Sequence, residues 1–481
     1  MKSFIFFLIF VLTCIFSSLS QETILNFKVQ QKSRIIKKYT YSLSNNANNN
    51  LAILIREKKK GFAYLFDEAF KPKSEFEFDY SKKSKYDVLL GEKINGLEYS
   101  LLYSNEKNNK FCVFTIDFES KKGHLKELEI DFENERYLKT IAHKNKLYVL
   151  SNGRLGNKII IRELNDNYEF EIVKSHLLEL DKKQKLHKSD FMNNGFWTTI
   201  KPNIIKIDNR IPNTIEHVSE DNKIYKQEDN LYLTFDNKTN STLMYVISLI
   251  DYSINRKEFI YPKGKIDDFD KYNSYFVDNK LFQIASSNKE MILIAKDLDG
   301  EILKSYYFDK ETPIDIKNST IIQDGVTVLP FVTKREFEET SKFLRKISAG
   351  NLGISGYKKE GAYHFTVGGV KQINYNMSSP MMIPNTTPIT LNNQVHYITT
   401  YNPVYSSYRS YSTTKSTYFK TKFDLNFNYV RDSLIDNIFE KIEKYNGTLK
   451  NISGEEVFYH KEQLFFSYFN LEDGEFNLVK F

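Results

Sequence analysis

Short apolar runs that close on an acidic or amide residue recur along the chain, most cleanly in MILIAKDLDGEILKSYYF at 291–308. Residues 291–295 are continuously apolar, Asp297-Leu298-Asp299-Gly300 follows, and a second run leaves through Ile302, Leu303, Tyr306, Tyr307 and Phe308. Asp-Gly between two apolar runs predicts a β-hairpin, because Gly adopts the positive φ that such a turn requires. The same pattern appears as FAYLFD (62–67), VFTID (113–117), IIIRELN (159–165), MYVISLID (244–251), YFKTKFD (418–424) and FSYFN (466–470). That makes seven units. A companion pattern, a polar pair followed by alternating aromatics and aliphatics, marks further strands at NKLYVL (145–150), DNLYL (229–233), NKLFQI (279–284), NQVHYI (393–398) and EQLFF (462–466).

The units start roughly 45 to 130 residues apart, which describes an irregular array with insertions. Continuously apolar strands such as 159–161 and 291–295 are expected to be covered on both faces, where a half-exposed strand would alternate. Small antiparallel sheets stacked around an axis satisfy that demand without long open edges, so the expected fold is all-β: an irregular β-propeller. Seven units suggest seven blades, with six or eight also compatible. TILNFKV (23–29) and FNLVKF (476–481) both read as strands, and pairing them in one blade would close the ring.

Two stretches depart from the strand rhythm. Thr333 and Glu336 have capping-box spacing, Phe337, Leu344 and Ile347 fall on one helical face, and Gly350 is a stop, which predicts an inserted helix over 333–350. A shorter helix is expected from Asn437, with Ile438 and Ile442 one turn apart and Gly447 after it. The other departure, 374–415, mixes prolines with Ser and Tyr and has no helical period, so it predicts two long loops around a strand. In this region LGISGYKK (352–359), FTVGGVK (365–371), a Met/Pro-rich loop and KSTY (415–418) resemble uncharacterised exported proteins of flavobacterial type. The resemblance covers the last third of the chain. It implies a bacterial exported protein and carries no activity or site residue with it.

Composition agrees with strands: 38 Phe and 32 Tyr stand against 1 Trp and 10 Pro. The first twenty residues read as a secretory signal peptide, with a basic start, an apolar stretch at 4–16 and small residues before a cut after Ser20. That stretch is shorter than the roughly 20 residues that span a bilayer, and no later segment is apolar enough to cross one. The remaining 21–481 is expected to form a single propeller-like domain. Its one cysteine, Cys112, cannot close an intrachain bridge and is expected to be buried as a small hydrophobe. Net charge is +7, with acids interleaved and Lys58-Lys59-Lys60 the longest basic run, which argues against a nucleic-acid partner.

Motifs for catalysis are missing: no zinc-binding His-Glu-x-x-His, no nucleophile elbow, no phosphate-binding Gly-rich loop, no paired cysteines. Gly353-Ile354-Ser355-Gly356 is one residue short of the elbow and lies in a strand-like context. The histidines are scattered, and His176 and His187 lack ligand spacing. Asp297 and Asp299 could open a calcium loop, but an outgoing strand follows directly, so they and the analogous Asp67, Asp251 and Asp424 are expected to shape turns. Trp197 could stack on a sugar ring, although packing between blades is the plainer role. No catalytic residue, metal or cofactor is assigned. The residues best suited to recognition are Tyr401, Tyr405, Tyr408, Arg409 and Tyr411, amphipathic groups spaced by Ser, with Met381 and Met382 adding apolar contact. The expected function is a non-catalytic exported binding or scaffold propeller for a protein, peptide or glycan. A propeller hydrolase or lyase acting on glycans, whose mark would be close carboxylates with shifted pKa in a central funnel, and a structural component of the cell envelope are the alternatives.

Overall fold

The computed structural model describes residues 21–29, 39–57, 60–80, 86, 88–130, 132, 134–153, 158–177, 204–236, 241–325, 334–372, 390–391, 394–395, 414–433 and 437–481. Among them are seven sheets of four or five strands and one two-stranded hairpin. The fold is an all-β propeller. In chain order the sheets span 39–79, 88–128, 135–177, 204–260, 271–309, 321–423, and 452–480 with 22–28; they are numbered 1 to 7 below.

Each of the seven sequence units lies in a different sheet. In sheets 1 to 5 the unit lies on the strand that follows the first antiparallel hairpin, and its buried run is sandwiched as its composition demands; in sheet 6 it lies on Thr414–Phe423, which alternates between buried and half-buried positions. Glu290–Lys296 of sheet 5, for example, is buried at every position, whereas the outer strand Ile302–Asp309 leaves Ile302 and Leu303 to solvent. Sheet 7 differs: 466–470 belongs to its second strand, Gln463–Asn470, so the two sequence patterns there describe one strand rather than two. Its third strand, Glu475–Lys480, pairs antiparallel with the N-terminal Glu22–Lys28, matching Phe27 with Phe476 and Asn26 with Asn477. The two strands expected to close the ring thus share one sheet.

The turn after each unit is built alike. Asp67 Oδ1 accepts the N–H groups of Ala69 and Lys71, each at 2.9 Å. Asp297 does so for Asp299 and Glu301, and Asp424 for Asn426 and Asn428. Asp117, Asn165, Asp251 and Asn470 repeat the device on one or two donors. These acids are turn formers, as expected, and Gly300 adopts φ 91° in the unit read first. The same place, three residues after the capping side chain, holds Phe70, Tyr168 and Phe427 at φ 58°, 58° and 61°. Each aromatic reaches into the preceding sheet: Phe70 against Phe465, Tyr168 to Ser100, Phe427 against Phe282.

Sheet 6 is rearranged. The chain enters it on the outer strand Ile321–Gly325, adds the short edge Arg335–Phe337, and only then forms the inner strand Asn351–Lys359. The helix expected over 333–350 is Thr340–Ile347, with Glu339 at its N-cap and no side-chain cap. Phe337 pairs with Ile321 in that edge strand, so the local capping pattern is overridden by strand pairing. Phe343, Leu344 and Ile347 are buried, and the Phe343 ring lies 5.4 Å from Phe419 of sheet 6. The second helix, Ile438–Asn446, begins at Asn437 with a complete capping box with Glu440. It joins sheets 6 and 7: Lys420 Nζ lies 2.6 Å from Glu440, while Phe439 and Ile442 pack with Val457 and Phe466. Cys112 is fully buried, as expected of a small hydrophobe.

Candidate functional site

Sheet 4 carries one strand more than its antiparallel ladder needs. Ile204–Ile207 pairs in parallel with the inner strand Asn222–Gln227, on its axial side. The chain continues from there through Asp208 to the one-turn helix Ile215–Val218 and back to the ladder. This segment, 204–221, touches four sheets besides its own. Ile204 packs with Leu138 and Ile141 of sheet 3. Asn209 Nδ2 donates to the Phe276 carbonyl and Asn213 Nδ2 to the Tyr275 hydroxyl, both of sheet 5. The Asn213 N–H reaches Ser355 Oγ, and Ser416 Oγ donates to Glu216, both in sheet 6. The Arg210 guanidinium lies 4.2 Å over the Tyr459 ring of sheet 7. Only a position on the central axis allows one segment to meet so many sheets, so 204–221 plugs the channel.

The plug brings charge with it. Asp208 holds Arg210 through two bonds of 2.9 and 2.7 Å, and the guanidinium keeps the carboxyl below its usual range despite burial. Burial and the neighbouring Lys206 ammonium bring Lys139 down to about 8, and burial lowers Lys206 itself. Lys226 is lowered by desolvation and by Lys206, although its side chain keeps more contact with solvent. At the seam between sheets 7 and 1, Glu456 is buried and accepts the Ser42 N–H at 2.8 Å. Desolvation, reinforced by Glu92, pushes its carboxyl up to about 8, so it is protonated at neutral pH. At the root of the plug, Lys223 and Asp236 form a fully buried ion pair at 3.0 Å, with Asp236 also accepting from Ser274 and Thr242.

The residues singled out from sequence are placed unevenly. Tyr401, Tyr405, Tyr408, Arg409, Tyr411, Met381 and Met382 lie outside the described residues, as do Trp197, His187 and the first twenty positions. The strands on either side of 373–413, Ala362–Gln372 and Thr414–Phe423, are neighbours in sheet 6. Of the strand expected at 393–398, Gln394–Val395 is described and pairs with Thr390–Leu391. Ser355 lies in a strand and is buried, and His176 is spent on the Tyr252 carbonyl. No group of metal-ligating side chains gathers among the described residues, and no helix among them is long and apolar enough to cross a membrane. An open recess lined by Lys317, Asn318, Tyr429 and Asp432 is shallow, and its polar groups bond largely to one another. The axial residues Lys139, Lys206, Asp208, Arg210 and Lys226 were not singled out by sequence. The one signal was the long interval between the units at 159 and 244, which marks an insertion without saying where it goes.

No protein-family model matches the chain, and no curated protein does. Solved structures resemble it remotely. A prolyl endopeptidase aligns at 9% identity and TM-score 0.32 over 90% of this chain and 46% of its own, so the chain spans less than half of that enzyme. The Dos1 propeller aligns at 8% and 0.31, over 96% and 95%. A DUF4221 family member from Bacteroides vulgatus aligns at 9% and 0.32, over 95% and 98%. Likeness at this level carries no activity across.

Proposed function

We propose that the chain is an exported, non-catalytic propeller of seven blades, one per sheet, that binds a protein, peptide or glycan through the face on which second strands end. The observation that supports it most is the filled axis. A propeller that works on substrate in its funnel keeps that funnel open, whereas here 204–221 occupies it and leaves the connections between strands as the free surface. Tyr401, Tyr405, Tyr408, Arg409 and Tyr411, with Met381 and Met382, are the residues proposed to make contact. The hydrolase or lyase alternative needs two accessible carboxylates; Glu92 and Glu456 are neighbours with a raised pKa at Glu456, but Glu456 is buried and bonded to Ser42. The test is binding of residues 21–481 to arrayed glycans and peptides, followed by the triple replacement of Tyr405, Tyr408 and Tyr411 by Ser. Loss of the hit with an unchanged melting curve is expected; an unchanged hit refutes the site.

A further inference from the structure

We propose that the crevice between sheets 3 and 4, where Lys139, Lys206 and Lys226 converge from three strands, binds a phosphate- or sulfate-type oxyanion. Each lysine lies two residues from an isoleucine of one core cluster: Lys139 from Ile141, Lys206 from Ile204, Lys226 from Ile224. Alternate residues share a strand face, so the three side chains leave that apolar layer into the same crevice. Lys206 stands opposite Ile224 in the parallel ladder, next to Lys226, and Lys226 Nζ donates to the Ala142 carbonyl of sheet 3 at 3.1 Å. The Lys139 and Lys206 ammonium groups make no hydrogen bond or ion pair with the described residues, although both side chains are partly buried. The Lys206 charge lowers the basicity of Lys139, and at Lys206 itself the pull of Asp208 and Glu92 does not outweigh the effect of burial.

Half-buried ammonium groups without a partner, as at Lys139 and Lys206, are costly, and a cluster of like charges repels itself. The nearest carboxylates do not answer the excess. Asp208 is engaged by Arg210, and Asp229, toward the outer end of the crevice, by His143 and Lys144. Glu92 faces the cluster from sheet 2. Among the described residues, Lys139, Lys206, Lys226 and Arg210 thus stand against Asp208 and Glu92. A dianion with three or four oxygens matches that imbalance and offers each ammonium an acceptor, which a single carboxylate does not. A bound oxyanion would also lock the plug strand to sheet 3.

Calorimetric titration of residues 21–481 with inorganic phosphate and with sulfate, against chloride at constant ionic strength, tests the site. Phosphate or sulfate is expected to bind at one site and to raise the melting temperature by about 2 °C or more at saturation. The double variant Lys139→Gln/Lys206→Gln is expected to weaken binding at least about tenfold, while Lys310→Gln, on an exposed loop, leaves it unchanged. Should the double variant fail to fold, Lys226→Gln alone, on the more exposed lysine, is expected to weaken binding several-fold. A parallel titration with glucose 6-phosphate distinguishes the sources: tighter binding assigns the site to organic esters, equal or weaker binding to the free ion. Phosphate and sulfate no better than chloride, or undiminished binding in the lysine variants, overturns the proposal.

Discussion

The turns that close the sequence units and the segment that fills the axis are organised on opposite principles. Each turn has a local backbone: a side chain of Asp or Asn caps N–H groups two to four residues ahead, and at three turns an aromatic adds a contact to the preceding sheet. The axial segment is assembled from afar, its polar groups answered by sheets 5, 6 and 7 and its apolar groups by sheet 3. Repetition therefore builds the ring, while the segment that does not repeat puts its own Lys206 and Asp208, and the Lys139 and Lys226 side chains of the sheets beside it, in unusual surroundings.

The largest expected effect lies where the plug joins the ladder. Asp236 and Lys223 are both fully buried, and Asp236 Oδ2 also accepts the Ser274 N–H at 2.7 Å. Asp236→Ala would strand a buried ammonium, and breaking such a pair costs about 3–5 kcal/mol. Denaturant unfolding of the variant should show a loss of that size. A loss near 1 kcal/mol would mean that the axis is held by local bonds, as the turns are.

A second break in the comparison is chemical. The Glu456 carboxyl is raised to about 8 in the folded chain from an ordinary value near 4.5. An acid whose folded pKa is raised binds its proton more tightly when folded, so its contribution is fully present below about 4.5 and is lost as pH rises through 8. Unfolding free energy should fall by about 3 kcal/mol, to order of magnitude, between pH 4.5 and 7.5 on this group alone. Glu456→Gln keeps an acceptor for the Ser42 N–H and cannot ionise, so its stability should change far less across the same range. Parallel pH profiles for the two proteins would show that the carboxyl titrates normally.

What was legible in the sequence follows the same divide. The units, the capping acids, the closing strands and the Asn437 helix all rest on contacts within a few residues or on apolar runs, and such patterns are visible in one chain. Thr333 and Glu336 misled because strand pairing of Phe337 with Ile321 outweighs a local cap. The entry of sheet 6 by its outer strand leaves no local mark either, since Ile321 and Ile322 read alike at any position in a sheet. Lys206 looks like any solvated lysine between isoleucines until the parallel pairing places it on the axis.

The smallest effect expected concerns a turn, and its sign matters more than its size. Phe70 sits at φ 58°, where Gly300 sits in the corresponding turn, and its ring lies 5.6 Å from His460 and 6.0 Å from Phe465. A side chain in the left-handed region costs roughly 1 kcal/mol or more, so the strain persists because the ring bridges sheets 1 and 7. Both Phe70→Ala and Phe70→Gly lose that bridge, but only Gly also loses the strain. Phe70→Gly should therefore be the more stable of the two by about 1 kcal/mol, reversing the order that Ala and Gly show where φ is negative. Urea midpoints of the two variants decide it. If Ala is the more stable, the turn has relaxed out of the left-handed region without its ring, and the aromatic rather than the capping Asp67 sets its shape.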